Sequence, residues 1–132
     1  MIQLDGFHHV AITVSDCDAS AAWYADVLGF REMFREEAAD RKACVMQFPG
    51  GEMGVGLVEH RPVDDADKFD PRRRGLDHLA FSVGSRDALE ACAAQLTAAG
   101  VPNSGAIDVA PGAILNFKDP DGIALALFWD RS

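Results

Sequence analysis

A chain of 132 residues, 48% hydrophobic and 25% charged, has the length of one domain and enough apolar material to bury a core. Its net charge of −9 argues against nucleic acid or an anionic membrane as partner. The apolar runs are strand-length, short of the roughly 20 residues that a bilayer-spanning helix needs.

The N-terminus, Met1-Ile2-Gln3-Leu4-Asp5, lacks the basic start and apolar run of a secretory signal, so a cytoplasmic location is expected. Cys17, Cys44 and Cys92 are odd in number, far apart and without a CxxC pair. They read as buried free thiols, as a reducing compartment would keep them.

In chain order, residues 8–14 alternate in character with period two and predict a strand. Asp16 is the expected N-cap of a helix carrying Ser20, Trp23, Tyr24, Val27 and Leu28 on one stripe, and Gly29 ends it. The Trp23-Tyr24 pair belongs to that stripe and is assigned to core packing. Strands follow at about 31–37 and 42–48, then a Pro49-Gly50-Gly51 turn and a strand at 53–59. After a charged stretch, His60 to Gly75, the order returns. Residues 76–83 predict a strand, and Ser85 caps a helix with Leu89, Cys92, Ala93, Leu96 and Ala99 at helical spacing. Gly100 and Pro102 stop it. Two strands flank Pro111-Gly112, and Asp119-Pro120-Asp121-Gly122 turns into a last strand at 123–129.

His9 and His78 lie 69 positions apart, and Gly56-Leu57 and Ala126-Leu127 lie 70 apart. A period that spans a whole strand–helix–strands unit indicates an internal duplication. The expected fold class is α+β: two tandem βαβββ modules, 7–60 and 76–130, in a single domain 1–132. The modules would form a curved mixed sheet that encloses a cavity, with the helices outside.

Strand parity sorts the side chains. One face takes Val10, Ile12, Val14, Val55, Leu57, Leu79, Phe81, Val83, Ile123, Leu125 and Leu127, bulky residues for the helices to cover. The other takes His9, Ala11, Thr13, Gly54, Gly56, Val58, His78, Ala80, Ser82, Ala124, Ala126 and Phe128. A solvated face would carry Lys, Glu and Arg, and glycine inside a strand marks a close approach. Small residues with a few polar groups suit a ligand cavity. A face packed against another subunit is the alternative.

The strings His8-His9-Val10-Ala11-Ile12-Thr13-Val14-Ser15-Asp16, Trp23-Tyr24 with Leu28-Gly29-Phe30, Gly75 to Val83, and Asp119-Pro120-Asp121-Gly122 resemble the vicinal oxygen chelate superfamily. That group holds glyoxalase I, bleomycin- and fosfomycin-resistance proteins, extradiol dioxygenases and methylmalonyl-CoA epimerase. The resemblance implies paired βαβββ modules around a small-molecule cavity and a homodimer. It puts metal ligands at His9 and His78, with two glutamates at the positions held here by Gly56 and Ala126. Neither of those residues can ligate a metal or move a proton. His60 shares the parity of Gly56 but lies four residues on, roughly 13 Å along a strand. It could complete a site with His9 and His78 only through a bulge or bend. Asp130 holds the matching place in the second module. By parity, His8, Asp77 and Glu59 point the other way.

Two readings follow. In the first, the protein binds or sequesters a hydrophobic or aromatic compound and has no cofactor. His9 and His78 then line the cavity wall as hydrogen-bonded neutral histidines, and Phe128 stacks on the ligand or supplies plain apolar lining. In the second, His9 and His78 hold a divalent metal (Zn, Ni, Fe or Mn) with an unconventional third ligand. The chemistry is then of glyoxalase-type lyase, isomerase or extradiol-type dioxygenase character. The residues themselves assign no catalytic group. Ser82 and Thr13 share strands with the histidines but lack a third, orienting residue. Arg72-Arg73-Arg74 reads as solvated linker, with an anionic substrate as the alternative.

Overall fold

The computed structural model describes residues 1–51, 53–62 and 64–132. The chain divides into two compact units, Met1–Ala66 and Asp67–Ser132. In the first, β1 (His9–Thr13) leads into α1 (Cys17–Leu28), followed by β2 (Arg31–Glu37), β3 (Arg41–Gln47) and β4 (Gly54–His60). The sheet order is β1-β4-β3-β2, with β1 parallel to β4 and the other pairs antiparallel. The second unit repeats this with β5 (Leu79–Ser82), α2 (Arg86–Ala98), β6 (Ile107–Val109), β7 (Gly112–Lys118) and β8 (Ala124–Asp130), in the order β5-β8-β7-β6. The expected α+β duplication of strand, helix and three strands is what forms. No helix among the described residues is long and apolar enough to cross a membrane, which says nothing of strands.

The helix ends follow the capping residues. Asp16 accepts a bond from Ala19 N at 3.0 Å, and Ser85 Oγ accepts one from Ala88 N at 3.0 Å. Gly29 takes φ 74° after α1, a left-handed conformation that glycine reaches without a Cβ clash. The buried stripe of α1 is Cys17, Ser20, Ala21 and Tyr24, while Trp23, Val27 and Leu28 are only half-buried. The predicted stripe was therefore rotated: helical spacing gives the width of an apolar stripe, and contact with the sheet sets its phase. β5 begins at Leu79, three residues later than the alternation implied. Gly75 has φ 140° and Asp77 bonds the side chain of His78, so the entry into β5 is not yet extended strand.

In each unit the helix packs on one sheet face. Ile12, Cys44, Met46, Val55 and Leu57 are buried in the first unit, and Phe81, Leu115, Phe117, Leu125 and Leu127 in the second, with Leu89 and Leu96 of α2. Each such aliphatic side chain removed from water stabilises the fold by about 1.5–3 kcal/mol before entropy is set against it. The arginine run is tied down locally. Arg72 pairs with Asp70 at 3.2 Å and Arg73 with Asp67 at 2.6 Å, and the Arg72 bonds hold the Asp70 carboxyl below its ordinary range.

Candidate functional site: the sheet faces opposite the helices

The register of each sheet builds the face that its helix leaves uncovered. β1 meets β4 with His9 opposite Gly54, Ala11 opposite Gly56 and Thr13 opposite Val58. β3 and β2 extend these rows. Gly56 faces Val45 and then Phe34; Val58 faces Ala43 and then Glu36; Gly54 faces Gln47 and then Arg31. In the second unit Ala80 lies opposite Ala126 and then Asn116, and Ser82 opposite Phe128, Ile114 and Ile107. Ala124 pairs with Lys118. The parity sorting of the first and last strands thus matches the register, and the offset repeats. His9 and His78 each stand two residues ahead of the alanine that faces Gly56 or Ala126.

Sequence reasoning missed what the middle and outer strands add to these faces: Arg31, Phe34, Gln47, Ile114 and Asn116. Their parity becomes assignable only once the hairpin register is known, and in β2 the register shifts between Glu32 and Phe34. Arg31 Nη2 donates to Gln47 Oε1 at 2.8 Å, and Gln47 Nε2 donates to Gly51 O at 2.9 Å. A shallow depression of about 310 Å³ opens at this end of the sheet, between Arg31, Gln47, Phe48 and the Pro49–Gly51 turn. Phe48 itself stacks edge-to-face on Phe30, ring centres 5.6 Å apart, and so belongs partly to the core.

Gly56 allows a close approach of strands. A Cβ there would meet Ala11 Cβ at 3.2 Å and Ala11 Cα at 3.6 Å, so any side chain must push Ala11 aside. Ala126 is fully buried. A glutamate at Gly56 would thus need Ala11 to give way.

The histidines differ in their surroundings. His78 Nδ1 lies 2.7 Å from Asp77 Oδ1, and a carboxylate only accepts, so Nδ1 carries a proton and donates it. Parity had turned Asp77 away; the correction arises because both residues precede the strand. His9 Nδ1 lies 2.7 Å from His8 Nδ1, with the rings T-shaped, so His8 also reaches its neighbour rather than turning from it. That contact fixes no tautomer.

His60 closes β4 opposite Arg41, and the β3–β4 register runs unbroken from there to Gln47 and Gly54. The bulge that would bring His60 toward His9 is not made. Asp130 is occupied at the end of β8, accepting from Ser132 N and Oγ at 2.9 and 2.6 Å, which lowers its pKa. Glu59 turns to the helix side, as its parity implied, and accepts from Cys17 N at 2.9 Å. Among the described residues no three histidine, cysteine or acidic side chains stand together as a metal site. The described residues do not make up a metal sphere of the kind the resemblance implies.

The pattern of the Glyoxalase/Bleomycin resistance protein/Dioxygenase superfamily matches residues 6–127. Protein YaeR of Escherichia coli (strain K12) is 34% identical over 134 residues, covering 97% of this chain and 98% of its own. A glyoxylase/bleomycin resistance protein/dioxygenase domain from Frankia sp. EAN1pec superposes with a TM-score of 0.89 at 36% identity, over 98% of this chain and 100% of that one. TnmS3, an antibiotic binding protein from Streptomyces sp. CB03234, shares the fold with a TM-score of 0.75 at 18% identity, over 98% and 99% of the two chains. By sequence and by fold, this chain belongs to the Glyoxalase/Bleomycin resistance protein/Dioxygenase superfamily.

Proposed function

We propose that the protein binds a small hydrophobic or aromatic molecule against the uncovered faces of its sheets, and does so without a resident metal. The observation that carries this reading is the side-chain-poor pair of rows Ala11–Gly56 and Ala80–Ala126. They carry no carboxylate at the positions where metal-dependent relatives would need one. Phe128, in the row beside Ala126, offers an aromatic surface. The superfamily fold alone decides nothing between binding and catalysis. In solution the protein is proposed to be a homodimer, for which the exposed Met33 and Phe34 of β2 and Ile107 of β6 offer apolar surface.

The test has two arms. With a flat aromatic dye as probe, Phe128→Ala should weaken binding roughly 2–10-fold, the usual worth of one aromatic contact. Equal affinity of the two proteins would remove Phe128 from the site. Protein purified without chelator or affinity tag should carry substoichiometric metal. Stoichiometric Zn, Ni, Fe or Mn that disappears in His78→Ala would overturn the metal-free reading.

A second reading, a metal-dependent lyase, isomerase or dioxygenase, is favoured by one observation. The Asp77–His78 bond orients the ring and leaves Nε2 available as a base or a ligand, as carboxylate–histidine pairs do in metal sites. The metal measurement separates the two.

A further inference from the structure

Two of the three cysteines, 27 residues apart in sequence, meet inside the first unit. Cys17 opens α1, anchored by its N–H bond to Glu59 and by the Asp16 cap. Cys44 sits in β3 with its side chain on the helix side, between Leu57 of β4 and Arg35 of β2. Their Sγ atoms are 2.6 Å apart, and both residues are fully buried. Cys17 Sγ also lies 3.5 Å from Leu57 O. As plain apolar filler the two thiols would need only to fill volume. Here a helix start and a strand, both fixed by their own hydrogen bonds, hold the sulfurs in contact, close to the about 2.05 Å of a bond.

We propose that Cys17 and Cys44 form a covalent modification site, closed to an intramolecular disulfide by a small-molecule disulfide. Both S–H bonds break and one Sγ–Sγ bond forms. The two electrons and two protons pass to the co-reactant, whose own S–S bond is cleaved to give two free thiols. The exchange runs through a mixed disulfide on one cysteine, which the other displaces. Burial pushes the Cys44 thiol up, with the hydrogen bond to Cys17 adding to it, so reaction at rest is slow. It needs the first turn of α1 to open, the kind of local fraying that costs least at a helix end. The cross-link pins α1 to β3 and leaves Ala43 and Val45 as they were, because they point to the opposite side of the sheet. Oxidation thus acts on the stability of the first unit rather than on its uncovered face.

The experiment uses the full chain with Cys92→Ser, which removes the half-buried thiol of the second unit. Incubation of the folded protein with glutathione disulfide should give an intact mass lower by two hydrogens and a non-reduced peptide joining residues 17 and 44. It should also raise the unfolding temperature, an effect that dithiothreitol reverses. In Cys17→Ala the two-hydrogen loss should vanish, and in Cys44→Ala likewise. Should either variant fail to fold, the cross-linked peptide from the parent protein decides alone. Three results would each overturn the proposal: a lasting glutathione adduct, two thiols that still alkylate after denaturation, or a cross-link that forms only once the protein is unfolded.

Discussion

The residue ahead of His9 in one unit is a second histidine, and that ahead of His78 in the other is an aspartate. The His8–His9 contact does not say which ring donates, whereas Asp77 makes Nδ1 of His78 the donor. The first turns of the helices differ in the same spirit. Asp18 of α1 reaches Arg35 of β2 and Lys42 of β3, while Arg86 of α2 reaches Asp108 of β6 and Glu90. Both units tie the helix start to the outer strand with an ion pair, and the polarity is reversed. Duplication has kept the sheet order and the covered cores and let the polar groups go their own ways. Apolar packing tolerates few substitutions, and a surface ion pair is nearly indifferent to its direction.

If the covered cores are equivalent, Leu57→Ala and Leu127→Ala should each cost roughly 2–5 kcal/mol in urea unfolding, since both side chains are buried at matching positions. A loss below about 1 kcal/mol in either would break the equivalence. The turns into β4 and β8 should separate the units next. Buried Asp119 accepts from Asp121 N and Ile123 N at 2.9 and 3.0 Å, so Asp119→Ala should cost about 1.5–3 kcal/mol, the worth of charged hydrogen bonds. The corresponding Pro49–Gly51 turn bonds through its backbone, Gly51 N to Phe48 O at 3.1 Å. There Pro49→Ala should cost under about 1 kcal/mol by the same measurement.

The smallest effect concerns pH. Lys42, and then Arg35, hold the Asp18 carboxyl down at about 2 from an ordinary 3.8. A lowered folded-state pKa means that the stabilisation is complete above 3.8 and fades as pH falls toward 2. Melting temperatures of the parent and Asp18→Asn should therefore differ slightly at pH 6, less in high salt, and converge near pH 2. A gap that persists at the acid end would assign the effect to something other than this carboxylate.

Much of the scaffold was legible because each signal has a local physical cause. Asp16 and Ser85 supply oxygen acceptors for helix N–H groups, Gly29 tolerates a left-handed turn, and period-two alternation marks His9–Thr13. The faces of first and last strands followed from parity alone. What escaped depended on contacts distant in sequence. The phase of α1 on its sheet, the meeting of Cys17 with Cys44, and the Gln47 and Asn116 contributions all require a register that no local pattern encodes. Asp77 escaped for the opposite reason: the strand rule was applied to residues that lie just before the strand.

In both units the earliest strand lies beside the latest one, β1 against β4 and β5 against β8. Val10 must await Val55, and Leu79 must await Leu125, before either ladder closes. During synthesis β1 therefore emerges with no neighbour, and the hairpin β2–β3 can assemble well ahead of it. Such long-separation pairings slow folding and prolong the exposure of unpaired strand. A ribosome stalled short of residue 54 would thus release a chain in which the covered face of the first sheet has lost its central strand.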